Sequence, residues 1–228
     1  MATEPVRIDL GCGHAKRDGF VGLDLVDGPH VDHVLDLTKD RYPFEDDSVD
    51  EVFSAHFLEH IARPNEVFSE IGRICKDGAR IEFWTPYAFG TLAFLYGHLQ
   101  HLAEEQWLQI CISDRDIFLP MLGGRWLLHR IIYVVLPDTA GELQAYGVPM
   151  DFAIKYLKGV VFEFGVEIEF RRDVDVPAVV PTRWWSTTRD GARRELEGEA
   201  RRLSTLAAAR RLSDRVRAKL RAVLGSSS

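Results

Sequence analysis

Two glycines and a carboxylate near the start of the chain have the types and spacing of a nucleoside site. Residues 8–13 read IDLGCG, and the apolar run that follows ends at Asp24. A glycine turn lets a ligand approach the backbone closely, because no Cβ stands in the way. An acid at the tip of the next strand accepts hydrogen bonds from the two hydroxyls of a ribose. The pattern therefore predicts a nucleoside pocket at the carboxyl ends of neighbouring parallel strands.

The spacing of these residues argues against a dinucleotide. The dinucleotide fingerprint needs a third glycine, as in G-x-G-x-x-G, and an acid about 20 residues further on. Lys16 stands at the third glycine position, and Asp24 comes too early along the chain. NAD binding is therefore not expected.

The elements that must position these residues read as an α/β fold. The first 86 residues alternate short apolar runs with polar helical stretches, which is typical of a parallel sheet with crossover helices. Lys76-Asp77-Gly78 ends the predicted helix, with Gly78 in the left-handed conformation. The predicted strands cover 7–10, 20–24, 32–35, 50–54 and 79–84, and the predicted helix covers 64–75.

The rest of the chain has a different character. Residues 87–150 are rich in Leu, Trp, Phe and Tyr, and we expect a helical insertion that forms a lid over the pocket. Alternation returns over 160–180 and predicts two final strands near the sheet edge. The predicted organisation is one domain over 1–188, followed by a basic amphipathic helical tail over 189–228.

Charge and composition limit the partners. The chain has a net charge of −7, with 46% hydrophobic residues and three cysteines at unrelated spacings. Residues 189–228 hold 11 basic and 5 acidic side chains, so the body before them is strongly acidic. We expect no nucleic acid partner, because binding a duplex needs a basic face. The tail fits docking on its own body, a homodimer contact or an anionic surface.

The cysteine usage and the hydropathy also bear on location. An odd number of cysteines without metal or disulfide spacing favours reduced thiols. The first predicted strand begins too early to leave room for a signal peptide. No apolar run approaches the roughly 20 residues of a bilayer span. A cytoplasmic protein is expected.

Several segments resemble the motifs of class I S-adenosylmethionine-dependent methyltransferases. Asp9, Gly11 and Gly13 match the acid-x-G-x-G of motif I, in which Ala15 replaces the third glycine. The later segments follow in the family's order: VLDL at 34–37, YPFEDDSVD at 42–50, FSAHFLEH at 53–60 and RICKDG at 73–78. The chain looks like a type 11 methyltransferase with a short loop after motif I. The resemblance implies a Rossmann-like parallel sheet with an antiparallel edge strand.

The resemblance also implies the cofactor and its contacts. The cofactor would be S-adenosylmethionine, with its amino-acid end at the glycine turn and its ammonium near Asp9. Asp24 would hold the ribose hydroxyls, and Asp36 the adenine amino group. The implied cofactor residues are Asp9, Gly11, Cys12, Gly13, Asp24, Asp36 and Leu37.

Histidines are the candidate catalytic bases. Methyl transfer needs alignment above all, and a base only if the acceptor must lose a proton. His56, at a strand end, and His101, before a helix, are the two candidates, although packing roles fit both. His56 and His60 also fit H-x-x-E-H, a zinc signature. No third ligand is evident, so no metal site is predicted.

The acceptor is expected to be a small molecule, methylated on an oxygen of a secondary metabolite or saccharide. Tyr87 is a candidate contact for it. One alternative is a catalytically silent methyltransferase-like partner protein. Another is a membrane-associated lipid or saccharide acceptor, with the apolar segment 126–132 at the bilayer interface.

Overall fold

The computed structural model describes residues 4–191. The chain divides into two compact units, residues 1–187 and 188–228, and the fold given below is that of the first. The predicted tail helix, and the homodimer contact proposed through it, lie from residue 192 onward outside the described residues.

A mixed eight-stranded sheet forms the centre of the first unit. Its strands are β1 Arg7–Leu10, β2 Val21–Asp24, β3 His33–Val34, β4 Val49–Ala55, β5 Cys75–Pro86, β6 Arg125–Val134, β7 Glu163–Arg171 and β8 Thr182–Ser186. They lie in the order β3-β2-β1-β4-β5-β7-β6-β8. Only β7 runs antiparallel to its neighbours, β5 and β6. The Rossmann-like fold class predicted from the sequence is confirmed.

Short helices connect the strands. They are α1 Asn65–Ile74, α2 Glu104–Leu108, α3 Arg115–Leu122, α4 Pro137–Ala145 and α5 Met150–Tyr156, with a π-helical turn over Gln109–Ser113 and 3₁₀ turns over Leu58–His60 and Thr91–Phe94. Gly78 has a φ of 85° as predicted, but it lies in a bulge of β5 rather than in a loop. No helix occurs between β1 and β2, in agreement with the short loop there.

The prediction that 87–150 is helical throughout was wrong for its middle part. Residues 125–134 form β6, which pairs with β7 on one side and β8 on the other. A strand that is buried on both faces loses the polar-apolar alternation and reads as a continuous apolar run. The antiparallel strand β7 therefore lies inside the sheet, and β8 takes the edge.

The same strand removes the suggested bilayer contact of segment 126–132. Trp126, Leu128 and Ile131 are at most 2% exposed, so their side chains are buried within the protein. Within residues 4–191, none of the helices has both the length and the apolar character that a bilayer span requires.

An aromatic cluster joins the helices of the insertion to the sheet. Trp107 of α2 stacks on Phe83 of β5, with ring centroids 5.3 Å apart and an angle of 18° between the planes. Phe68 of α1 packs edge-on against Trp126 of β6 at 5.1 Å. Aromatic pairs in these arrangements add to the free energy gained by burial. The insertion is thus part of the core, and it fixes the chain that follows β5.

Candidate active site

The candidate site lies along the side of the sheet where the parallel strands end. All strands except β7 point the same way, so their carboxyl ends meet at this edge. Gly11 follows β1, Asp24 ends β2, His56 follows β4 and Tyr87 follows β5. Glu163 joins them from the opposite direction, because it begins the antiparallel strand. Open α/β sheets bind their ligands at such an edge.

The glycine turn and Asp24 are held together by hydrogen bonds. Gly11 and Gly13 have φ angles of 66° and 50°, which glycine adopts readily. The amide of Gly11 donates to the carbonyl of Leu23 at 2.9 Å. The amide of Gly13 donates to Oδ2 of Asp24 at 2.9 Å, and that of Val26 donates to Oδ1 at 3.0 Å. Asp24 therefore fixes the turn and keeps further lone pairs of its carboxylate.

The two glycines have different surroundings. A Cβ on Gly11 would stand 2.6 Å from the Cβ and ring atoms of Phe57, so only glycine fits there. A Cβ on Gly13 would meet no atom within 4 Å. The backbone of Gly13, next to the Asp24 carboxylate, therefore borders open space. Open backbone beside an ionised carboxylate has the chemistry expected for binding the ribose and amino-acid groups of an adenosyl cofactor, so the residues present fit such a group.

Asp9 is placed beneath this turn. Its side chain is 2% exposed, and Oδ2 accepts the amide of Arg17 at 2.8 Å. Burial raises the pKa of the Asp9 carboxyl to about 6, although the hydrogen bond from Arg17 opposes the shift. Arg17 also contacts Glu82 of β5 at 3.1 Å. The short loop is thus anchored to the sheet by Arg17 on one side and Asp9 on the other.

Cys12 lies in the turn with its side chain directed into the protein. The thiol is buried and lies 3.5 Å from the carbonyl of His30. Burial, together with the nearby carboxylates of Asp9 and Asp24, raises the pKa of Cys12 to about 11. Any contact of Cys12 with a ligand in the open space is therefore a backbone contact.

Asp36 and Leu37 follow β3, next to Asp24. The amide of Leu35 donates to the carbonyl of Asp24 at 2.9 Å, which brings the two strand ends together. The Asp36 carboxylate accepts the hydroxyl of Thr38 at 2.7 Å and pairs with Lys39. These partners lower the pKa of Asp36 to about 2. Asp36 therefore forms a turn, and a contact with adenine would have to share its carboxylate with Thr38 and the exposed Lys39.

His56 is clamped between two glutamates. Its Nδ1 lies 3.1 Å from Oε1 of Glu59, and its Nε2 lies 2.9 Å from Oε2 of Glu163. Both glutamates are almost completely buried, at 1% and 4% exposure. The backbone of His56 has a φ of 55°, in the left-handed region that few non-glycine residues adopt. Strain of this kind is concentrated at functional sites.

The other predicted base, His101, lies apart from this clamp. It is exposed, precedes α2, and packs on Phe94 with ring centroids 4.8 Å apart. The H-x-x-E-H pattern does not form a zinc site of the type considered from the sequence. The ring of His56 contacts Glu163, while Nδ1 of His60 lies 3.3 Å from the carbonyl of Gly97.

A cavity of about 740 Å³ opens beyond β5 along the same edge. Tyr87, the candidate acceptor contact, lines this cavity, and most of the other lining residues were not predicted from the sequence. Oε2 of Glu104 accepts the hydroxyl of Tyr133 at 2.6 Å and Nε of Arg183 at 2.7 Å. The lining residues are Tyr87, Phe89, Glu104, Glu105, Tyr133, Asp151, Ile154, Lys155, Tyr156, Arg183, Trp184 and Trp185.

The cavity offers hydroxyl groups that stay protonated. Burial raises the pKa of Tyr87 to about 12, and burial together with Glu104 raises that of Tyr133 further. Both phenols can hydrogen-bond to a ligand, but neither is a base near neutral pH. The adjacent tryptophans Trp184 and Trp185 were the one sequence signal for this wall. Their place could be assigned only once β8 was paired to β6.

Comparisons with known proteins were made for the sequence and for the fold. Residues 23–83 match the family model described as a methyltransferase domain. A S-adenosylmethionine-dependent methyltransferase from Archaeoglobus fulgidus has a similar structure, at 16% identity and a TM-score of 0.53, over 73% of this chain and 86% of that one. Geranyl diphosphate C-methyltransferase from Streptomyces coelicolor gives 16% identity and a TM-score of 0.47, over 73% of each chain. The curated proteins gave no match.

The fold is that of the class I methyltransferases. The matched segment runs from the end of β2 through most of β5, and it therefore contains Asp24, Asp36 and His56. Residues 23–83 thus have the sequence pattern of a methyltransferase domain, and they lie within a sheet that has the methyltransferase fold.

Proposed function

We propose that this protein transfers a methyl group from S-adenosylmethionine to an oxygen of a small-molecule acceptor, a secondary metabolite or a saccharide. The observation that carries the proposal is the Asp24 carboxylate beside the open backbone of Gly13. When bound, the cofactor supplies a methyl group on a positively charged sulfur that is its own leaving group.

At the glycine turn, the protein's role in the proposed reaction is to bind and orient the cofactor. An ionised carboxylate has about four acceptor positions. Gly13 and Val26 use two positions on Asp24, which leaves acceptors for the ribose hydroxyls. The strand end at Asp36–Leu37 lies beside Asp24 and provides the adenine side. Asp9, whose carboxyl is buried beneath the turn, would be stabilised in its ionised form by the ammonium group of the cofactor.

The acceptor would occupy the cavity between Tyr87 and the β8 tryptophans. Its aromatic walls suit a flat ring or the apolar face of a sugar. Glu104, Arg183 and the protonated hydroxyl of Tyr133 supply polar groups that orient a hydroxylated molecule. This combination favours an acceptor with both an apolar face and several hydroxyls.

His56 is the preferred base for an acceptor hydroxyl. It follows β4, between the glycine turn after β1 and the cavity beyond β5, and Glu163 holds its Nε2 at 2.9 Å. Both ring nitrogens lie within 3.1 Å of a glutamate oxygen, so one of them must release its glutamate before it can accept the proton of the acceptor hydroxyl. His101 is the second candidate base, and the irregular stretch of the insertion before α2, which carries it, is proposed to form the lid.

Isothermal titration with S-adenosylhomocysteine tests the cofactor half of the proposal. The wild type is expected to bind it, and Asp24→Ala to lose roughly 10- to 150-fold in affinity, the value of hydrogen bonds to a charged group. Asp27→Ala removes an exposed acid three residues further on and is the matched control. A wild type that binds no cofactor would instead favour the silent partner protein.

The acceptor half is tested by transfer of radiolabelled methyl groups to a panel of phenols and glycosides. Ile154→Trp should lower transfer by narrowing the cavity while leaving cofactor affinity unchanged. Unchanged transfer in this variant would place the acceptor elsewhere.

A further inference from the structure

Three side chains near the turn after β4 form a cluster that the methyl-transfer site does not use. One ligating atom each from Glu59, His60 and His98 lies within 4.8 Å of the others. Glu59 is 1% exposed, yet its Oε2 has no hydrogen-bond partner. Nδ1 of His98 is also buried without a partner. Leaving such groups unsatisfied destabilises the folded protein, and a charged group does so more strongly than a neutral one. The cluster is therefore built for a partner of its own.

The chain holds this cluster in place through its backbone. Gly97 has a φ of 91°, which turns the loop toward the 3₁₀ turn Leu58–His60. The amides of Leu99 and Gln100 then donate to the carbonyl of Glu59 at 2.6 and 3.1 Å. These bonds pin His98 beside His60, so that their rings meet edge-to-face at 4.8 Å. The residues are thus assembled before any ligand binds.

His60 and Glu59 each make a second contact, through the side-chain atom that does not face the cluster, and this contact orients the side chain. Nδ1 of His60 lies 3.3 Å from the carbonyl of Gly97, which leaves Nε2 to ligate. Oε1 of Glu59 contacts Nδ1 of His56 at 3.1 Å, which leaves Oε2. Metal-binding histidines typically donate their other ring nitrogen to a carbonyl or carboxylate, and ligating carboxylates are themselves hydrogen-bonded. The arrangement reproduces this pattern.

We propose that Glu59, His60 and His98 bind a divalent transition-metal ion, with Zn²⁺ the best match. Two imidazoles and one carboxylate are a ligand set that zinc uses while keeping a fourth position open. Bonds of about 2.0–2.2 Å require the three ligating atoms to draw together from their present separation. The exposed side chain of His60 can make most of this adjustment.

The ion would join the loop at 97–100 to the strand end that carries His56. Glu59 is shared between them, because one carboxylate oxygen faces His56 and the other is free for the metal. The site uses His60 and Glu59 of the H-x-x-E-H pattern, with His98 in place of His56 as the remaining ligand. It does not depend on the methyl donor.

Metal titration of the whole chain, first treated with chelator, tests the proposal. Zn²⁺ binding is measured by calorimetry, and Co²⁺ is added as a spectroscopic probe of nitrogen and oxygen ligands. We expect one ion to bind per chain, and His98→Ala and Glu59→Gln each to weaken binding by at least about 10- to 100-fold. His30→Ala, which removes an exposed histidine outside the cluster, should bind as tightly as the wild type.

Two results would overturn the proposal. One is a wild type that binds no Zn²⁺, and the other is unchanged binding in His98→Ala. If Glu59→Gln fails to fold, His60→Ala replaces it, because His60 is exposed and its loss leaves the core intact. Unchanged affinity in that variant would equally contradict the site.

Discussion

The variants Gly11→Ala and Gly13→Ala distinguish a packing role of the first glycine from a ligand-binding role of the second. Gly11 and Gly13 both adopt left-handed φ angles, and they differ in what a Cβ would meet. At Gly11 the new methyl group would lie 2.6 Å from three carbons of Phe57. At Gly13 it would extend into the space proposed for the cofactor.

The magnitudes follow from these contacts. A non-glycine residue in the left-handed region costs about 1–2 kcal/mol. The lower entropy of the unfolded chain returns about 0.4–1 kcal/mol of this. Crowding Phe57 adds about 1–3 kcal/mol at Gly11 alone. Gly13→Ala should therefore lose at most about 2 kcal/mol of folding free energy, and Gly11→Ala should lose about 1–3 kcal/mol more than that.

Urea denaturation of the two variants measures this difference, and calorimetry with S-adenosylhomocysteine measures ligand access. We expect Gly13→Ala to remain folded but to bind the ligand weakly, because its methyl group occupies the space proposed for the cofactor. Equal stability of the two variants would refute the packing argument. Full ligand affinity in Gly13→Ala would refute the position of the cofactor.

Three further perturbations test how the turn and its supports are held. The folded-state pKa of Asp9, about 6, lies above its ordinary 3.8, so the folded protein binds this proton more tightly than the unfolded chain does. The free energy of unfolding should therefore fall by about 3 kcal/mol as the pH rises from about 4 to about 7. Asp9→Asn should remove this pH dependence. If urea denaturation shows that the wild type and the variant lose stability in parallel as the pH rises, the prediction is contradicted. Arg17→Met removes the 3.1 Å contact to the Glu82 carboxylate, 1% exposed, while Arg80 at 3.7 Å and the indole N–H of Trp84 stay in place. It should cost about 1.5–3 kcal/mol by urea denaturation, with Arg17→Lys less damaging, and equal losses would argue against the ion pair. Gly72→Ala should lower the melting temperature sharply, because a Cβ there would meet a backbone carbonyl at the end of α3. Gly141→Ala, whose Cβ would meet nothing within 4 Å, should raise stability by up to about 1 kcal/mol. Similar melting temperatures for the two variants would contradict the contact at Gly72.

Local patterns in the sequence were sufficient to predict the strands of the first half of the sheet. The strands up to β5 are short apolar runs bounded by glycine or acidic residues, and such runs have few alternative interpretations. Gly11, Gly13 and Asp24 are adjacent in the structure because parallel pairing aligns the ends of β1 and β2. Their proximity was predictable once the sheet was assumed to be parallel.

The second half of the sheet depends on pairings between distant residues. Glu163 reaches His56 only because β7 inserts between β5 and β6, and 107 residues separate the two in sequence. Tyr133 was assigned to a helix because buried β6 has no alternation to reveal a strand. Similarly, His98 meets Glu59 through backbone bonds of an irregular loop, which no periodicity marks.

Hydrogen exchange followed by mass spectrometry, with and without S-adenosylhomocysteine, tests whether the cofactor binds at the glycine turn. We expect the ligand to slow exchange in peptides covering residues 9–24 and 33–40, because in the proposed complex the amides around Gly13 and the strand end at Asp36–Leu37 face it. Peptides from α4 serve as the internal reference and should not change. Ligand binding without protection of the glycine turn, or protection confined to another part of the sheet, would contradict the account.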